Sequence, residues 1–125
     1  MSKNSESANP FTGQWRIVSM SNWDQDFIDE EEEGYFRFED NGQGEFHFGY
    51  VNGQMDCRLT TRGGVQAVEW TWDGNSEMDP AQGRGWAFMT GDELHGMIFF
   101  HFGDDSEFVA QKKLVLSSNK RKEKR

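Results

Sequence analysis

Glu45-Phe46-His47-Phe48, Met55-Asp56-Cys57-Arg58-Leu59 and Val68-Glu69-Trp70-Thr71-Trp72 decide the reading of this chain, because in each an apolar side chain recurs at every second position. A period of two places those side chains on one face of a β-strand and the polar ones on the other. Outward from these stretches the same alternation, interrupted by Gly, Asp and Asn, predicts strands near 14–20, 34–40, 44–51, 54–61, 65–73, 83–90, 93–102 and 106–113. Trp86 and Phe88 continue the pattern and Arg84 shares their parity, so all three are expected to face inward with Phe46, Phe48, Trp70, Trp72, Phe100 and Phe108. Gly83 and Gly85 flank Arg84 and leave room on the opposite face for a backbone or a ring.

Most connections are a few residues long, and Asp40-Asn41-Gly42, Arg62-Gly63-Gly64 and Gly91-Asp92 read as hairpin turns. Short connections favour an antiparallel meander, and closure removes the exposed sheet edges. The predicted fold is therefore all-β: an eight-stranded antiparallel up-and-down barrel with at most one short helix between the first two strands. A length of 125 residues makes this one domain, read as a disordered start at 1–10, a barrel at 11–116 and a basic flexible tail at 117–125. Phe, Ile, Leu and Val number only 24, which with a net charge of −9 would signal disorder. Eleven Phe, five Trp and two Tyr reverse that signal, because each ring buries far more area than an aliphatic side chain.

Charge is divided along the chain. Residues 1–111 carry 6 Lys and Arg against 21 Asp and Glu, whereas residues 112–125 carry 7 against one. An acidic body repels phosphate, so nucleic acid is not the expected partner, and no apolar run predicts a membrane segment. The single Cys57 and the polar start, without a signal sequence, lead to a cytoplasmic expectation, with the thiol buried and inert.

In a meander, alternate connections gather at each end. One end takes the short turns; the other takes 21–33, 52–53, 74–82 and 103–105, which together with the adjoining Asp73 hold twelve carboxylates and no Lys or Arg. An acidic mouth of this kind suits a cationic or basic partner.

Phe11-Thr12-Gly13-Gln14-Trp15-Arg16-Ile17-Val18-Ser19 resembles the entrance to the first strand of the calycin superfamily, which includes lipocalins and fatty-acid-binding proteins. There the Gly-x-Trp indole crosses the closed bottom of the barrel, and Asn22-Trp23-Asp24 looks like the segment that follows in the fatty-acid-binding proteins. Their carboxylate-binding Arg-x-Tyr is replaced by Phe108-Val109-Ala110-Gln111-Lys112. Most of the chain is similar to small, uncharacterised bacterial lipocalin-like barrels, through Trp23-Asp24-Gln25-Asp26, Met55 to Arg58, Gly83 to Ala87 and His101 to Ser106. That resemblance implies a fold and supplies no activity.

The chemistry-bearing motifs are sparse. Asp73, Asn75, Glu77 and Asp79 alternate like calcium-loop ligands, but Met78 stands at the required glycine. His47, His95 and His101 have no metal-ligand spacing, and no nucleophile elbow, phosphate loop or dinucleotide fingerprint occurs. The sequence therefore predicts no enzyme, no catalytic residue, no metal and no cofactor. It predicts a binding module that takes a small aromatic or cationic ligand at the acidic mouth. Trp23, Asp24, Asp26, Trp72, Arg84, Trp86, Asp104 and Asp105 are the candidate ligand-binding residues. The alternative is a protein-interaction module that docks a basic partner surface with the same loops, Trp23 and Phe27 lying exposed beside it. A third arrangement is head-to-tail self-association, with the basic tail of one copy at the acidic rim of the next. A packed interior favours docking over an enclosed ligand.

Overall fold

The computed structural model describes residues 9–113. Its eight strands are β1 (Gly13–Met20), β2 (Tyr35–Phe38), β3 (Gln43–Phe48), β4 (Val51–Arg62), β5 (Val65–Ser76), β6 (Asp79–Thr90), β7 (Glu93–Phe100) and β8 (Asp105–Lys112). Each pairs antiparallel with the next, and β1 pairs with β8, so the sheet closes into an up-and-down barrel. The one helix, α1 (Gln25–Ile28), lies between β1 and β2. The predicted tail at 117–125 and most of the predicted disordered start fall outside the described residues.

The interior is filled by rings, and the register explains how so many fit. Across the β5–β6 ladder Trp70 faces Gly85 and Trp72 faces Gly83; across β3–β4 Phe46 faces Gly53; across β7–β8 Phe108 faces Gly96. Each of these four large inward side chains thus has, on one flank, a neighbour with no side chain. A Cβ at Gly85 would stand 2.5 Å from the Trp70 ring, and one at Gly53 would stand 2.3 Å from Phe46. The rings then stack through the barrel: Phe36 on Phe108 at 4.4 Å between centroids, Phe36 on Trp70 at 5.6 Å, Phe46 on Trp72 at 5.0 Å, and Trp72 on Phe100 at 5.1 Å. Towards the short-turn end Trp15 is buried, donates its indole N–H to the Phe11 carbonyl at 2.9 Å and lies beneath the Lys112 ammonium at 4.7 Å. Burial pulls the Lys112 pKa down.

That same register corrects the sequence reading of β6. Its inward residues are Gly83, Gly85 and Ala87, while Arg84, Trp86 and Phe88 face outward. Alternation by itself puts the large side chains on the inner face, but the barrel wall needs small ones opposite Trp70 and Trp72. The room expected on the face opposite Arg84 receives the Trp70 and Trp72 indoles of β5. The expected 74–82 loop is also different. Residues through Ser76 belong to β5 and those from Asp79 to β6, leaving a tight turn at Glu77 and Met78. Asp, Asn and Gly read locally as loop, yet Gly74 pairs with Gly53 so closely that a Cβ there would overlap the Asn52 carbonyl. The expected 52–53 connection lies earlier, at Gly49 and Tyr50, where Gly49 has φ 58° and leaves space for the Phe27 ring.

Candidate functional site

The meander places four connections at one end: residues 21–34, 49–50, 77–78 and 101–104. The first of these begins with Asp24, whose Oδ1 accepts the Phe27 N–H at 3.0 Å and caps α1. Capping turns the chain so that Trp23 lies over the barrel, 5.1 Å from Phe48 and 5.9 Å from Phe100. Phe27 sits beside it and packs edge-on to Tyr50. Both rings are half-buried in the core cluster, which corrects the expectation that they stand exposed beside the rim. Ser106, buried, accepts the Asn22 N–H at 3.1 Å and so ties this segment to β8.

The acidic run after α1 is a strap along the outer wall rather than part of an open rim. Asp29 accepts N–H groups from Gly34, Gln25 and Arg16 at 2.9, 3.0 and 3.2 Å. Burial by itself raises the Asp29 carboxyl, but these bonds outweigh it and hold the group below its ordinary value. Glu33 pairs with Arg16 and Lys113 at 3.3 and 2.7 Å. Glu31 lies 3.6 Å from the buried His47, whose other ring nitrogen meets Asn52 at 2.7 Å. Glu30 lies against Tyr50 and raises the phenol pKa. Three members of the predicted acidic mouth, Asp29, Glu31 and Glu33, are thereby engaged with wall residues.

The eight predicted site residues do not form one pocket. Trp23 and Asp104 meet in a cleft of about 320 Å3 at the loop end, with Phe27, Phe100, Val51 and Ala81. Asp26 is exposed on α1, and Asp105 is exposed at the start of β8, its carbonyl accepting from Asn22. Trp72 is a core residue that donates its indole N–H to the Phe99 carbonyl at 3.2 Å. Arg84 lies on the outside with its guanidinium 4.6 Å over Phe99. Trp86, half-buried on the same outer wall, lies beneath the Arg62 guanidinium at 4.2 Å and stacks with Phe88.

Two residues at the loop end went unnoticed in the sequence. Phe102 is 98% exposed and Met78 95% exposed, each in the connection beside acids: Asp104 and Asp105 for the first, Glu77 and Asp79 for the second. Phe102 has φ 60° and Glu77 φ 58°, a left-handed conformation that costs a side-chain-bearing residue free energy. The alternation of 93–102 places Phe102 at the end of a strand, and only the His-Phe-Gly-Asp-Asp composition points to a turn. On the chemical side, burial pushes the Cys57 thiol up to about 12, which keeps it protonated and unreactive at neutral pH. Among the described residues no three His, Cys, Asp or Glu side chains gather as a metal set. Compared with family models, curated proteins and solved structures, this chain matches none of them.

Proposed function

We propose that this protein is a non-catalytic interaction module whose loop end docks a basic partner surface bearing apolar groups. The observation that carries the reading is Phe102, almost wholly exposed in a strained backbone conformation on an otherwise well-packed barrel. An aromatic side chain held out in this way gains burial on association, as anchor residues of interfaces do. Met78 is a second apolar tip at the same end, and its flexible thioether adapts to a contact surface. Asp26, Glu77, Asp79, Asp104 and Asp105 are exposed on or beside the same connections and would select for positive charge. The cleft between Trp23, Phe100 and Asp104 suits one inserted Lys or Arg side chain, whose stem meets rings and whose head meets a carboxylate. A small ligand inside the barrel is the weaker reading because rings occupy the interior.

The test is calorimetric titration with a short amphipathic peptide of lysine and leucine. Phe102→Ser with Met78→Ser should weaken binding by about tenfold or more, and raising salt should weaken it further. Equal affinity in the double variant, or indifference to salt, overturns the reading.

A further inference from the structure

The seven Lys and Arg side chains among the described residues are used unequally. Arg16, Arg37 and Lys113 are each ion-paired, and Lys112 donates to the Thr12 carbonyl at 2.7 Å. The remaining three, Arg58, Arg62 and Arg84, converge on one cleft of about 220 Å3 in the outer wall of β4, β5 and β6. Trp86, Phe99, Thr71 and Glu69 also line it, and Gly85 contributes a residue without a side chain. Arg58 has only a loose, exposed contact with Asp56 at 3.7 Å. Among the described residues Arg62 and Arg84 have no carboxylate within 4.0 Å; their guanidinium groups lie on the Trp86 and Phe99 rings instead.

We infer that this outer-wall cleft is an anion site that takes a small, flat aromatic molecule bearing one carboxylate. A guanidinium laid on a ring is held in place, yet keeps its N–H edge free for an oxyanion and its second face free for another ring. Two ring-laid guanidiniums and a loosely paired third, drawn from β4 and β6 while the other four cations among the described residues are ion-paired or hydrogen-bonded, are not explained by the needs of the fold. The charge of the cleft limits what it accepts. Asp56 and Glu69 offset two of the three arginines, so one positive charge remains. That balance favours a single oxyanion, and the acidic body repels a polyphosphate chain. The modest volume restricts the occupant to about one ring. Arg84 and Phe99 also line an adjoining groove that runs to Phe102, so the Phe102→Ser variant is the control that separates this wall site from the loop-end docking surface.

Benzoate is the probe, followed through the Trp86 indole N–H resonance, with acetate, benzyl alcohol and pyrophosphate as controls. Benzoate should shift that resonance saturably, and the three controls should bind about tenfold more weakly or not at all. Arg62→Gln with Arg84→Gln should abolish the shift while preserving the thermal midpoint, and Arg37→Gln, on another face, should leave it unchanged. If the double variant folds poorly, Arg84→Lys, which keeps the charge and loses the planar fork, should still weaken binding. Phe102→Ser should have no effect. Absence of a saturable shift, equal binding of benzyl alcohol, or full affinity in the arginine variants overturns the inference.

Discussion

Trp70 and Trp86 have the same side chain and each is followed two residues on by another aromatic, yet their environments are opposite. Trp70 is buried over Gly85, whereas Trp86 is half-buried on the outside beneath Arg62. Removing a buried indole leaves a cavity that the surrounding rings cannot fill; removing an outer one mostly exposes its neighbours. Trp70→Ala should therefore cost about 3–5 kcal/mol and Trp86→Ala about 1–2 kcal/mol in urea unfolding. Equal losses would return Trp86 to the core. Phe102 makes a second contrast at this scale. Glycine adopts its φ of 60° freely, so Phe102→Gly should raise stability by about 0.5–1 kcal/mol after the added freedom of the unfolded chain is counted. The same variant should weaken binding of the basic amphipathic peptide. A gain in stability paired with a loss of docking is the signature of strain kept for function, and a destabilised variant contradicts it.

Among the elements, the strap from Asp29 to Glu33 determines how α1 is held against the wall. Its central tie is Asp29, whose carboxyl is held below its ordinary value of 3.8 by hydrogen bonds from Gly34, Gln25 and Arg16. A carboxylate with a lowered folded-state pKa stabilises the fold fully above its unfolded value, and that contribution is lost as pH falls through the folded value. Asp29→Asn should therefore be less stable than the parent by roughly 1 kcal/mol near neutral pH, allowing for partial exposure of the pair. The two unfolding curves should converge below about pH 4. A difference that persists undiminished at pH 2 would show that geometry, not charge, carries the tie. The run of four glutamates was visible in the sequence only as an acidic segment. Its division among Arg16, His47, Tyr50 and Lys113 was not, because the partners lie on β1, on β3, in the β3–β4 connection and just past β8, and come together only when the barrel closes.

Over the whole molecule, closure of eight strands around paired rings and glycines leaves the interior filled from Trp15 to Trp23. A fluorescent fatty-acid analogue should consequently show no saturable binding and no rise in thermal midpoint. Uptake at one molecule per barrel would reveal an interior able to empty. The long hairpin of β5 and β6 reaches beyond the end of β7, and His101 N–H meets the Gln82 carbonyl at 2.7 Å to brace its side. This bracing places the Met78 turn and the Phe102 connection at one end, where the docking surface is proposed.

The alternation of Phe46, Phe48, Met55, Trp70 and Trp72 with polar neighbours was enough to determine strands, and the short connections were enough to determine an antiparallel closed barrel with one short helix. Period-two patterning and turn length are local properties, so they can be read from order alone. Which face of β6 turned inward, which acids were free, and which aromatic residue stood in solvent were decided only by tertiary structure. Arg84, Trp86 and Phe88 have the apolar pattern, but the wall opposite Trp70 and Trp72 has volume only for Gly83, Gly85 and Ala87. That is a packing constraint between strands, and it has no signature within either strand taken separately.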